Sequence, residues 1–80
     1  QLERKAGQLR VAAVGKSTPA AEAGIVAGDV LTAVDGKPVQ ALDLTEVAQL
    51  LEGRPGSRLA VTLRRGTVET TYRLIRRKLL

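Results

Sequence analysis

Two rhythms divide the apolar positions of this chain. From Arg58 to Arg64 they alternate, with Leu59, Val61 and Leu63 set against Ala60, Thr62 and Arg64. From Val68 they alternate again, with Val68, Thr70, Tyr72 and Leu74 set against Glu69, Thr71 and Arg73. A period of two puts each set on one face of a strand, and Arg65-Gly66-Thr67 between them predicts a hairpin turn. Before these strands the period becomes helical. Leu44, Val47, Ala48, Leu50 and Leu51 cover a broad arc, while Thr45, Glu46, Gln49 and Glu52 face the other way. Asp43 and Glu46 have the spacing of a capping box at N-cap and N3, and Gly53 is the expected stop. So wide an arc predicts burial on two sides, or one wall of a groove.

The first half is punctuated by small residues. Leu9 to Val14 reads as a strand between Gly7 and Gly15, with Leu2 to Lys5 as a second strand joined through Lys5-Ala6-Gly7-Gln8. Thr18 and Pro19 suit an N-cap and a first helical position, Ala20 to Ala23 add about one turn, and Gly24 suits a left-handed end. A helix this short is not stable alone, so its alanines and Ile25 must pack it onto a sheet. Gly28-Asp29 turns the chain into Val30–Val34, whose near-continuous apolar run predicts an interior strand covered on both faces. Asp35-Gly36 is a turn, and Lys37-Pro38-Val39 a short edge segment. The sum is a mainly β domain with two helices (α+β): a small, partly open barrel or sandwich of five to six strands, capped by one short and one longer helix.

Composition narrows what such a domain does. Eighty residues make one domain, 1–80, and a chain of that size buries only about 60% of its unfolded surface. There is no cysteine and no histidine, which excludes a disulfide, a thiolate or imidazole metal site, and any Ser–His or Cys–His nucleophile. Asp29, Asp35 and Asp43 all sit at turns or caps, and nothing in the sequence brings two of them together as a dyad. The glycines lack phosphate-loop spacing. No catalytic residue, cofactor or metal is expected. The net charge of +5 raises nucleic acid, but Tyr72 is the single aromatic and the cations gather late, at Arg64, Arg65, Arg73, Arg76, Arg77 and Lys78. Solvated strand faces and a basic tail account for that charge better than a nucleic-acid footprint. No run approaches the roughly 20 apolar residues of a membrane span. The opening Gln1-Leu2-Glu3-Arg4-Lys5 is neither a signal peptide nor an initiator start, and suggests a piece excised from a longer protein.

One set of motifs is more specific. Ser17-Thr18-Pro19-Ala20-Ala21-Glu22-Ala23-Gly24-Ile25, Gly28-Asp29-Val30-Leu31 and Val34-Asp35-Gly36-Lys37-Pro38-Val39 follow one another at set spacing. Together they resemble the bacterial PDZ signature, and Leu50-Leu51, Pro55-Gly56, Val61-Thr62-Leu63 and Arg65-Gly66 continue the likeness. The ending Leu74 to Leu80 is similar to PDZ tails of retropepsin-like aspartyl proteases, while HtrA-type, carboxyl-terminal-processing and site-2 proteases carry similar modules. The resemblance implies a peptide, often a free and here apolar C-terminus, added as a strand beside the second helix. Leu2, Glu3 and Arg4 would form the edge strand, with Leu2 in the terminal-residue pocket opposite Ala48 and Leu51. Leu44 would face the third residue from the peptide's end. The loop that holds the peptide carboxylate would lie just before Leu2. The resemblance also implies a periplasmic or cell-envelope protease as parent, and the parent's protease domain as a possible partner. The alternative is a PDZ-like assembly element that binds no free C-terminus. Leu80 is a further candidate, as a ligand for a neighbour's groove in an otherwise monomeric or weakly associating chain.

Overall fold

The computed structural model describes residues 2–76. The strands are β1 (Leu2–Lys5), β2 (Gln8–Val11), β3 (Val30–Val34), β4 (Lys37–Pro38), β5 (Arg58–Arg65) and β6 (Val68–Ile75). The helices are α1 (Pro19–Ala23) and α2 (Leu44–Leu51). All pairings are antiparallel, in the order β1-β2-β3-β5-β6, with β4 added to β3. This is the expected open β architecture with two helices. The readings at Arg77, Lys78 and Leu80 lie outside the described residues.

Turn chemistry sets the registers. Ala6 and Gly7 (φ 53° and 77°) join β1 to β2, and Asp35 and Gly36 (φ 50° and 77°) join β3 to β4. Two positive φ values in a two-residue loop give the turn whose twist matches antiparallel strands. The expected strand through Val14 is shorter. Beyond Val11 its partner has already turned: Val11 N donates to Asp29 O, and Gly28 N to Val11 O, both at 2.8 Å. Ala12 and Ala13 lie beyond the end of β2 and are exposed.

β3 is also less covered than its apolar run predicts. Leu31 and Val34 are buried, while Val30, Thr32 and Ala33 are half-buried. The buried pair lies three positions apart, the wrong parity for one strand face. A register shift between Leu31 and Ala33 restores it, so that Leu31 sits opposite Leu63 and Val34 opposite Val61. On β6, Leu74 is buried and Tyr72 half-buried, but Thr70 and Val68 on the same face are exposed. That strand runs past the end of the core to its hairpin with Arg65.

The core beneath the sheet is aliphatic, built on Leu9, Val11, Val34, Leu59, Val61 and Leu63, with Ala20 from α1, Ile25 just beyond its C-cap, and Val47 from α2. α1 is built as its sequence predicts. Thr18 accepts from Ala21 N, Pro19 occupies the first turn, and Gly24 is left-handed at φ 93°. Gly24 N donates to Ala21 O and Ile25 N to Ala20 O, a paired closure that leaves Ile25 buried on the core.

Candidate binding groove

β1 has a strand partner on one side only. β2 pairs with it, and among the described residues nothing pairs with its other edge. α2 lies alongside that edge. Two observations fix the relative direction of the two elements. Leu2 and Leu51 line the same apolar cavity, and the Arg4 guanidinium donates from Nη2 to the Leu42 carbonyl. β1 therefore runs from the C-terminal end of α2 toward its N-terminal end, and the two elements flank a candidate groove.

The floor of that groove is apolar at one end. Leu2 and Leu51 cover a cavity of about 30 Å³ with Val11, Leu31, Val61 and Leu63 beneath, space on the order of one water molecule or methyl group. Alternation along β1 turns Leu2 and Arg4 toward α2 and Glu3 and Lys5 away.

The wall is α2, and it is buried on one side rather than two. Val47 is fully buried and Leu50 packs against the core, whereas Leu44 is 43% exposed and Ala48 is exposed. The apolar arc is wide because only part of it meets the core. Leu2, Arg4 and Leu51 thus come together at the groove. Leu44 and Ala48 share its helix but lie open to solvent, and Glu3 points away.

Each end of α2 is tied down differently. At the N-terminus the capping box is complete: Glu46 N donates to Asp43 Oδ1 at 2.8 Å, and Asp43 N to Glu46 Oε1 at 3.2 Å. At the C-terminus the helix stops at Leu51, with Glu52 extended, short of the expected Gly53. Arg76 takes over there, as a clamp rather than part of a basic tail. Its Nε donates to Leu51 O and its Nη2 to Leu50 O, both at 3.1 Å. Its Nη1 donates to Ser57 Oγ at 3.1 Å and Arg58 O at 3.0 Å. A cation on the last carbonyls of a helix satisfies orphan acceptors and opposes the helix dipole. Gly53 makes room for it: a Cβ at this position would lie within 2.7–2.9 Å of Arg76 side-chain atoms.

A second arginine, Arg65 at the start of the β5–β6 turn, is likewise more than a solvated charge. Arg65 donates from Nε to Asp29 Oδ1 at 2.8 Å and from Nη2 to Oδ2 at 2.9 Å, and reaches Gly24 O at 3.0 Å. Asp29 is buried and also accepts from Val26 N at 3.1 Å. The bond from Arg65 is the main reason the Asp29 carboxyl titrates below its usual range, against the opposing effect of burial. The Arg65 guanidinium is correspondingly pushed up.

The family model described as PDZ domain matches residues 10–65. The chain belongs to the PDZ domain family. It is 34% identical over 79 residues to a probable CtpA-like serine protease of Staphylococcus haemolyticus, covering 99% of this chain and 16% of that protein. A Staphylococcus aureus counterpart is 32% identical over the same length. The chain therefore spans about a sixth of the curated relatives it matches. The photosystem II D1 C-terminal processing protease superimposes with a TM-score of 0.91 at 30% identity, over 100% of this chain and 22% of that one. An HtrA-type protease solved with a decapeptide gives 0.77 at 20% identity, over 94% of this chain and 26% of that one, a likeness of fold alone. The curated relatives are serine proteases, which corrects the aspartyl-protease likeness of the ending. In this chain Leu74 and Arg76 serve as the core end of β6 and the clamp on α2.

Proposed function

We propose that this chain is a non-catalytic peptide-binding module that takes C-terminal or extended peptides as an added strand on β1. The observation that carries this reading is the unpaired edge of β1 beside the exposed side of α2, with an apolar cavity at the Leu2 and Leu51 end. An incoming strand gains main-chain hydrogen bonds from β1, and its alternate side chains face α2. Its last apolar residue would sit over Leu2 and Leu51, with Ala48 above. The third residue from the end would face Leu44 and favour an apolar side chain. The likeness to CtpA-like serine proteases and to a C-terminal processing protease supports a role in substrate recognition or regulation within an envelope protease, with that protease's own domain as a second partner.

Calorimetric titration of peptides ending in Leu, beside the same peptides amidated, tests the reading. Binding of the free-acid forms, weakened by Ser or Thr at the third residue from the end, is the expected result. Equal binding of acid and amide would remove carboxylate recognition while keeping strand addition. No binding of either would leave the groove as an assembly surface.

A further inference from the structure

The groove has a polar end as well as an apolar one. Arg4 is the cation of β1 that faces α2; Lys5 points to the opposite side of the sheet by alternation. The cross-strand neighbour of Arg4 is Leu9, which is buried and offers no charge. The first turn of α2 holds two carboxylates, but Asp43 and Glu46 are occupied with each other's backbone N–H groups. Arg4 is exposed, and its recorded partner is the neutral carbonyl of Leu42. A guanidinium has five N–H donors in a fixed fork, and a carboxylate accepts two of them at once. One carbonyl leaves most of that capacity unused.

We propose that Arg4 is a specificity-determining residue that selects an acidic side chain upstream in the bound peptide, at the fifth residue from its C-terminus. This rests on the reading of β1 and α2 as a peptide groove. The position follows from matching two repeats. From Leu51 back to Leu44 the helix spans about 10.5 Å at about 1.5 Å per residue, and the extended Asp43 and then Leu42 carry the chain beyond its N-terminus. Four residues of an added strand span about 13.6 Å at about 3.4 Å each, more than the helix. A peptide whose last residue lies over Leu2 and Leu51 therefore brings its fifth-from-last residue past the N-terminal end of α2, the end at which the Arg4 guanidinium meets Leu42. Four residues is an even number, so that side chain points toward α2 as the last one does. The third residue from the end falls between Ala48 and Leu44, which keeps the apolar preference there separate from the charge preference beyond it. On binding, Arg4 exchanges the Leu42 carbonyl for the peptide carboxylate, and Leu42 O is left to water at an exposed site. The cost of that release is small.

The test uses the 80-residue chain and fluorescent peptides ending in Leu, with Glu, Gln or Lys at the fifth residue from the end. The expected order is Glu, then Gln, then Lys, with Glu about two- to fivefold tighter than Lys, the scale of an exposed ion pair. Raising salt to roughly 0.5 M should narrow that spread by screening. Arg4→Glu should reverse the order, and Arg4→Gln should flatten it. Retention of the wild-type order in Arg4→Glu, or an equal effect of Glu at the second residue from the end, overturns the proposal with the groove intact. Failure of every peptide to bind the wild-type chain overturns the groove reading itself, and the two failures are thereby distinguished.

Discussion

Both helices of this domain end beneath an arginine, and the two ends are built to different standards. At α1, Arg65 holds the Gly24 carbonyl while its fork is filled by the buried Asp29 carboxylate. Thr18, Pro19 and Ala20 are buried along with it. At α2, Arg76 holds the Leu50 and Leu51 carbonyls and also donates to Ser57 Oγ and the Arg58 carbonyl, and among the described residues no carboxylate anchors it. The helix it holds keeps Leu44 and Ala48 open to solvent. One end is a sealed joint, the other a tether. The proposed addition of a strand between β1 and α2 would need a fixed frame and a wall that adjusts, and the two arginines divide the domain along that line.

The sharpest way to break this comparison is to remove Arg65. Arg65→Met leaves Asp29 buried beside a methionine, and stranding a buried carboxylate costs several kcal/mol. The Arg65 side chain is 57% exposed, so water reaches the site and a loss of about 2 to 3 kcal/mol is expected. For a domain this size that is a fall in Tm of about 10 °C or more, measured by thermal melting. Peptide affinity in the surviving fold should barely change. Acid acts on the same joint. The folded-state pKa of Asp29 lies below the unfolded value, so its contribution is intact above the ordinary aspartate range. That contribution is lost as pH falls through the lowered pKa. The wild-type chain should thus lose stability in acid more steeply than Arg65→Met.

Neither arginine clamp was legible in the sequence, whereas most of the frame was. Thr18-Pro19, Gly24, Asp35-Gly36 and the Asp43/Glu46 pair act on neighbours within a few residues, so their chemistry is visible in a short window. Arg65 meets Asp29 through the β3–β5 register, which sets Arg64 opposite Val30, and Arg76 meets Leu50 and Leu51 across 25 residues or more, separations no short window spans. Gly53 was read by the local rule for helix ends, though its lack of a side chain serves the packing of Arg76. Of the residues the resemblance placed at a groove, Leu2 and Leu51 line one cavity. The exposure of Leu44 and Ala48 had a local sign in the over-wide apolar arc, and the parity shift in β3 had another in the three-residue spacing of Leu31 and Val34.

A second experiment sharpens the contrast. Arg76→Met removes the donors that close the last turn of α2, but water can reach those carbonyls, so the stability cost should be smaller, about 1 to 2 kcal/mol. The effect on binding should be the reverse of that for Arg65. With Leu51 no longer held over the cavity, peptide affinity should fall about tenfold, or roughly 1.4 kcal/mol. Titrating one Leu-ending peptide into both variants checks it. Equal losses of affinity in Arg65→Met and Arg76→Met would dissolve the distinction between frame and wall.

The smallest effect is expected at the other end of the wall. Asp43→Ala deletes the acceptor for Glu46 N and breaks the capping box, which costs about 1 kcal/mol. Because Leu44 begins the helix and is already exposed, fraying of the first turn uncovers little apolar surface and stays local. Amide hydrogen exchange should record it as faster exchange at Glu46, with the amides of Leu50 and Leu51 unchanged under the Arg76 clamp. Affinity for a Leu-ending peptide should fall by less than in Arg76→Met, because the terminal residue is gripped at the far end of the groove. Discrimination at the third residue from the end should weaken more than affinity, since it depends on where Leu44 is held. An Asp43→Ala chain that keeps full discrimination would mean that Leu44 is positioned by its side-chain packing and not by the cap.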